Sequence, residues 1–484
     1  MTKLTNTKII ITMVEQQQQH IPPLVNTYNV VIVGGGLSGL QACHEILLNR
    51  PNCRVAVVEA RDRLGGRVET LDNGLDVGAQ WIGPSHFELL KWIHSSSLQL
   101  IDQLYPQQQQ QRLTECVGFQ QMSLHSRDQE LVQEYMTLMK NLCSEIDLEA
   151  PWNHASAELY DTMSAKDHVV LSIPSSTAAQ QEIMLFYQTL LACRVENISF
   201  LFLLFYIQSG GGMASLGDGE DGLQKWKLRG GMIQVVHSIK QDLLTRGATI
   251  QTNSPVETVL DMGQYGIGLG IRGGGMIRCD RVVFALSPQL IAKLTFTPEL
   301  PEDRLDLGCA FIPGKTIKII ISFDHPFWLC DDQKEVSDLA MEAFINGPIH
   351  NLFHSNAGAD SKPALVGLIT GAAAEACESL SDQELQDSIL QQLQVMYQLA
   401  GSKTLLTPTT FVAKRWGLEQ FSGGCFAGVC PPNGSLVRLG HLLRAPQGRF
   451  HWASTETATK FYGYMEGALL AGKRAADEVV AYYP

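Results

Sequence analysis

The chain lacks long hydrophobic runs. Its richest stretch, Ile198 to Ile207, is about half the roughly 20 residues a membrane helix needs, so it reads as a buried helix rather than a span. At the N-terminus only Ile9, Ile10 and Ile11 precede Thr12, too short a run for the core of a secretion signal. A basic excess is missing as well: 36 Lys and Arg stand against 49 Asp and Glu, a net charge of −13. That balance disfavours a nucleic-acid partner and sets up a weak field that draws cations. The cysteines lack organisation. There are 11 of them, an odd number without a CxxC pair or zinc-like spacing, so neither a disulfide framework nor a metal site is indicated.

What is present is ordinary globular material, with 45% apolar and 18% charged residues, in a chain of 484 residues that exceeds the usual limit of a single core. Two domains are expected. Residues 1–27 are polar, contain Gln16 to Gln19 and end near Pro22-Pro23, the composition of a flexible extension. Tyr28 to Val33 reads as a buried strand, Leu37 to Asn49 as a helix, and Arg54 to Glu59 as the next strand. This unit opens a doubly wound sheet. A glutamine run, Gln107 to Gln111, follows Pro106 and reads as an exposed, tolerated insertion. Residues 128–215 are helical in period without a nucleotide signature, which suits substrate binding. Short strands with glycine-rich turns follow from Pro255, and Arg281 to Leu286 marks the return of the dinucleotide domain. The end is a strand and a long helix, Gly463 to Tyr482.

The strongest single motif is Gly34-Gly35-Gly36-Leu37-Ser38-Gly39, a GxGxxG placed after a strand and at a helix start. Gly34 permits the tight turn, Gly36 lets the backbone approach a pyrophosphate, and Gly39 lets helix and sheet pack closely. The helix N-terminus, with Ser38, then faces the anion. Glu59 closes the second strand, where a carboxylate can accept both ribose hydroxyls. Val256, at the start of the resumed strands, is assigned to the same ligand.

The segment Glu59-Ala60-Arg61-Asp62-Arg63-Leu64-Gly65-Gly66-Arg67 resembles the extended flavin fingerprint of the FAD-dependent amine oxidase superfamily. The resemblance puts Arg61 on the phosphate side, Arg67 on the flavin side and Gly66 in the turn between them. Gly78-Ala79-Gln80-Trp81-Ile82-Gly83-Pro84 is similar to the stretch that passes under the flavin ring, which assigns Gln80 and Trp81 to the cofactor. Trp416 through Ser422-Gly423-Gly424-Cys425 resembles the flavin monoamine oxidase segment whose cysteine bonds the flavin 8α carbon. The resemblance therefore implies FAD held as a thioether on Cys425, with Trp416 beside it. Ala453 to Thr459 and Gly463-Tyr464-Met465-Glu466-Gly467 are similar to the last family motif, placing Glu456 by the ribityl chain and Met465 at the cofactor. Ser454 stands where the family has Gly.

Tyr464 matches one wall of the family's aromatic pair. Phe426 takes the other, where animal members carry Tyr, so a π-face is kept and a hydroxyl dipole lost. In Gly314 to Phe323 the odd positions Ile317, Ile319, Ile321 and Phe323 make one apolar strand face, leaving Lys318 on an opposite, half-exposed face. The run, ending in Pro326-Phe327-Trp328, resembles the family strand whose lysine contacts flavin N5 through a water, and Lys318 falls on that lysine.

The implied fold is an α/β protein in which a GxGxxG-type doubly wound FAD-binding domain (28–105, 216–307 and 415–484) is interleaved with an α+β substrate-binding domain (106–215 and 308–414) built from a mixed sheet and helices. The implied reaction is oxidative deamination of a primary or secondary amine with O2, giving an aldehyde, ammonia or a smaller amine, and hydrogen peroxide. A polyamine or L-amino-acid oxidase of the same superfamily, or a flavin-binding protein without turnover, are the alternatives. Vertebrate members continue into a membrane-anchoring helix, whereas this chain stops at Tyr483-Pro484. A cytoplasmic protein without a transmembrane anchor is expected, and a homodimer is compatible with the family.

Overall fold

In the computed structural model, which describes residues 27–103, 126–216, 221–326, 347–349, 351–355, 362–396 and 407–483, the first apolar run forms strand β1, Thr27–Val33. Its β-branched residues divide between two cores. Val30 and Ile32 face one, and Val31 and Val33 the other, as expected for a parallel strand covered on both sides. Around it lies an eight-stranded sheet built from β2 (Val55–Val58), β3 (Thr249–Gln251), β4 (Val256–Asp261), β5 (Ile267–Ile271), β6 (Met276–Phe284), β7 (Thr295–Thr297) and, late in the chain, Phe450–Trp452. The order is β3-β2-β1-β6-β5-β4-β7. Strands β3, β2, β1 and β6 run parallel, while β5 pairs antiparallel with both its neighbours. The far half of β6 pairs parallel with Phe450–Trp452. The α/β class with a parallel sheet is therefore as expected from the first strand, helix and strand.

A second sheet contains β8 (Thr316–Ser322), β9 (Asn351–Ser355), β10 (Ala364–Thr370) and β11 (Thr410–Arg415), in the order β9-β10-β8-β11. Its described strands pair antiparallel throughout. A correction concerns β8. All seven of its residues are buried, because Ile317, Ile319 and Ile321 enter one core while Ile320 on the opposite face enters another. Lys318 is thus not on a half-exposed face.

Helices α1 (Leu37–Asn49), α2 (Phe87–Ser95), α3 (Ser126–Ser144), α4 (Thr177–Leu191), α5 (Phe200–Ser209) and α6 (Met465–Tyr482) position the site. Nearly every residue of α5 is buried, as its all-round apolar sequence requires. Helix α6 begins two residues later than Gly463, because Gly463 is left-handed at φ +83° and Tyr464 is extended. Among the described residues no helix is long and apolar enough to cross a membrane, and the nine cysteines there are all unpaired. Residues 1–26, Gln107 to Gln111, Phe327 and Trp328 lie outside the described residues.

The last helix lies directly on the first. A Cβ at Gly472 of α6 would stand 2.2 Å from the Ser38 carbonyl oxygen of α1 and 3.1 Å from the Ala42 nitrogen. Backbone cannot yield as a flexible side chain can, so Gly472→Ala should cost about 2 kcal/mol or more by forcing the helices apart. Chemical denaturation of the two proteins should show the loss; an unchanged midpoint would mean that α6 slides freely on α1.

Candidate active site

The glycine turn between β1 and α1 opens one side of a cavity of about 1720 Å³. This exceeds the roughly 300–1,000 Å³ of a pocket for one small ligand. It has room for an elongated cofactor together with a substrate. Gly34, Gly36 and Ser38 line it, whereas Gly39 does not. Gly39 instead packs so tightly that a Cβ would lie 2.0 Å from the Gly34 oxygen, which makes it a packing position. The N-cap of α1 is Gly36, without a side-chain cap, so the first-turn N–H groups are left for a ligand, with the positive end of the helix dipole behind them. The Glu59 carboxylate accepts from Gly35 N at 2.7 Å and from Arg61 N at 2.9 Å, holding an acid at the end of β2. Arg61 donates to Ser422 Oγ at 2.8 Å and to Glu419 at 3.1 Å. Gly66 and Val256 complete this end.

The cavity continues to Gln80, Trp81, Lys318, Trp416, Cys425, Phe426, Tyr464 and Met465. Lys318 Nζ donates to the Gly78 oxygen at 2.8 Å and to Gln80 Oε1 at 2.6 Å, and lies 5.5 Å from the Trp81 ring centroid. Burial pushes its ammonium down to about 7, against the opposing pull of Asp76. Asp76 is itself pushed up to about 6 by burial, with Lys318 pulling it down. The Cys425 thiol is raised to about 11 by burial, although Arg67 and Lys318 both favour its thiolate. Trp416 is anchored by donating its indole N–H to the Val77 oxygen at 2.9 Å.

Glu456 does not reach the cavity wall. It is buried and accepts two hydrogen bonds from Arg67, at 2.8 and 3.1 Å. Burial alone would raise this carboxyl, but the guanidinium outweighs it and the net shift is downward. Arg67 also donates to the Phe426 oxygen at 2.7 Å, and Gly428 N donates to Glu456 at 3.3 Å.

Tyr464 and Phe426 line the same chamber, but the ring stacked on Tyr464 is that of Tyr206, with centroids 6.1 Å apart and planes at 30°. Tyr206 was missed because it sits within the apolar run that became α5, where an aromatic reads as core. His86 packs against Tyr464 from behind. Glu182, Phe186, Thr189 and Leu190 of α4, with Val132 and Met136 of α3, form the outer wall. These residues carry only a helical period in the sequence, with nothing to separate wall from core.

Three features fit FAD: an uncapped helix N-terminus over a glycine turn, a carboxylate closing β2, and buried polar atoms on the cavity wall that lack a hydrogen-bond partner among the described residues, Gln80 Nε2, Ser287 Oγ and Ser454 Oγ. A dinucleotide cradle that opens into a buried chamber with an amine, a thiol and stacked tyrosines defines a flavin-dependent oxidoreductase. The family model described as flavin containing amine oxidoreductase matches residues 37–480. The chain belongs to this family and is an FAD amine oxidase. It is 30% identical over 465 residues to "Probable flavin-containing monoamine oxidase A" of Dictyostelium discoideum, covering 93% of this chain and 97% of that one. With the horse (Equus caballus) flavin-containing amine oxidase A the identity is 31%, over 94% and 85%. Among solved structures, cyclohexylamine oxidase from Brevibacterium oxydans aligns with a TM-score of 0.81 at 24% identity, covering 94% of this chain and 99% of that one. Putrescine oxidase bound to putrescine aligns at 0.80 and 24%, with 94% and 99% covered. These two likenesses bear on the fold.

Glu456→Gln should weaken the hold on the Arg67 guanidinium, and because the Arg67 side chain is 25% exposed the loss should fall below the about 3–5 kcal/mol of a fully buried pair. A paired Arg67→Met, Glu456→Leu replacement should recover much of that loss, and denaturant titration of the three variants reads the difference. The sign with pH follows from the lowered Glu456 carboxyl: its contribution is present above the ordinary carboxyl range and is lost as acid protonates the folded form. Equal stability of Glu456→Gln and the parent protein would contradict the pairing energy.

Proposed function

We propose that the protein oxidatively deaminates primary or secondary amines, using O2 and releasing an aldehyde, ammonia or a smaller amine, and hydrogen peroxide. The observation that carries this reading is the continuity of a single cavity from the Gly34 turn to Lys318, Cys425 and Tyr464. When bound, FAD supplies the two-electron acceptor for the amine's α C–H and passes those electrons to O2. In this reading Gly34, Gly36, Ser38, Glu59, Arg61, Gly66 and Val256 hold its dinucleotide portion, and Gln80, Trp81, Trp416 and Met465 border its ring. Arg67 and Glu456 fix the backbone on which Cys425 and Phe426 sit, and Cys425 carries the cofactor as a thioether. In the same reading the eight-stranded sheet belongs to a discontinuous FAD-binding domain and the four-stranded sheet to a substrate-binding domain.

The chain's residues have separate tasks. Tyr464, backed by His86 and stacked on Tyr206, presents a ring face to an amine, with Phe426 on the same chamber. The buried setting favours the neutral amine over its ammonium. Lys318, held by Gly78 and Gln80, places an N–H donor where negative charge builds on reduced oxygen, and low polarity strengthens that interaction.

Peroxide release with tyramine, benzylamine, spermine and a set of amino acids tests the reaction; activity on amino acids alone would overturn the substrate assignment. Acid-precipitated protein should stay yellow, and mass spectrometry should find FAD on the Cys425 peptide. Complete release of flavin into the supernatant would remove the thioether and leave the oxidase reading in place.

Lys318→Met is expected to slow the oxygen half-reaction more than amine oxidation in anaerobic and aerobic stopped-flow. Lys315→Met should behave like the parent, since Lys315 lies outside the cavity in a pair with Glu378. If the ammonium form is the useful one, the oxygen half-reaction should also fall as pH rises through about 7. Equal rates for both variants would take Lys318 out of the mechanism.

A further inference from the structure

The outer wall of the chamber contains one acid that the reaction does not use. Glu182 lies on α4, and with Phe186 and Leu190 it forms a single helical face along the cavity. Its Oε2 is closed off from solvent and has no hydrogen-bond partner among the described residues. Burial raises its carboxyl, and no neighbouring cation acts to lower it. Lys140 of α3 also lines the cavity but is exposed and makes no ion pair among the described residues. The α3 side of this wall is mixed, with Val132 and Met136 beside Gln133, Thr137 and Ser144, and Phe186 faces it from α4. A half-buried carboxylate with a free oxygen in such a wall is a costly arrangement that a bound cation would relieve.

The position is defined relative to the aromatic chamber. The Tyr206 hydroxyl donates to the Leu190 oxygen at 3.4 Å, so Leu190 marks the level of the Tyr206 and Tyr464 stack. Glu182 precedes Leu190 by eight residues on α4, which at 1.5 Å per residue is about 12 Å along the helix. We infer that Glu182 is a distal cation subsite, selecting amines that carry a second positively charged group at the far end of a long apolar spacer. The inference rests on the amine oxidase reading of the chamber and deepens it by naming the substrate class. A monoamine occupies the chamber and leaves Glu182 unpaired. A long α,ω-diamine fills the wall and pairs its second ammonium with the carboxylate, and a short diamine cannot span the distance.

The test compares n-alkylamines with α,ω-diamines of matched and increasing length on the FAD-loaded enzyme, for the parent, Glu182→Gln and Glu182→Lys. The parent should favour the diamine only once the spacer is long enough to reach. Glu182→Gln, which keeps the shape of the side chain, should lower the diamine-to-monoamine ratio of kcat/KM by about tenfold or more for long spacers, the worth of one charge-assisted hydrogen bond, mainly through KM. Glu182→Lys should lower it further. A ratio that is the same in all three proteins, or that falls equally for short and long diamines, overturns the inference. Calorimetric titration of the long diamine into the same proteins reads the subsite without turnover. If no amine is oxidised, the oxidase reading fails, and the titration alone decides: weaker binding to Glu182→Gln supports the subsite, and equal binding overturns it.

Discussion

The ion pair between the buried Glu456 carboxylate and the part-buried Arg67 guanidinium is the contact on which the geometry of the site depends. It joins the segment after β2 to the loop before α6, and through the Phe426 oxygen and the Gly428 nitrogen it also fixes the strip that carries Cys425. Three stretches far apart in the chain are therefore set by one guanidinium and one carboxylate. A buried pair is weak evidence for stability, since well-packed apolar groups often serve as well. Its geometric content is larger. The planar fork of Arg67 accepts few arrangements, so it sets the angle as well as the distance between the parts it joins.

A second group of charges sits deeper. Lys318, Asp76 and Lys227 influence one another within the protein, each moved toward its neutral form by burial and partly restored by opposite charge. An apolar core would be cheaper to build there. The arrangement makes sense beside a cavity, where Lys318 is held at 2.6 Å from Gln80 by a sheet buried on both faces. The sheet supplies rigidity, and the charges supply chemistry that an isoleucine in that position could not.

Parts of this organisation are local, and they could be read from the sequence. The β1 strand, the glycine turn, α1 and Glu59 lie within a short span, and the reasons for each residue are steric: Gly39 meets Gly34, and the helix start needs room for a ligand. Other parts depend on partners that sequence spacing does not reveal. The alternation in β8 correctly separates Ile317, Ile319 and Ile321 from Lys318, yet it cannot tell that the second face is buried, because that depends on Gly78 and Gln80, some 240 residues away. Tyr206 and Glu182 were invisible for a related reason. One lies in a helix that is apolar all round, the other on a helix with ordinary amphipathic spacing, and only packing shows which side of each meets a cavity.

The contact between α6 and α1 has a consequence for biosynthesis. The first helix is made early among the described residues, but the surface that covers it, together with Glu456 and Tyr464, comes near their end. At roughly 5–20 residues per second, the growing chain passes on the order of tens of seconds with the glycine turn made and its cover absent. During that interval the nascent protein has apolar α1 surface to shield, and the site is completed only once α6 has been made.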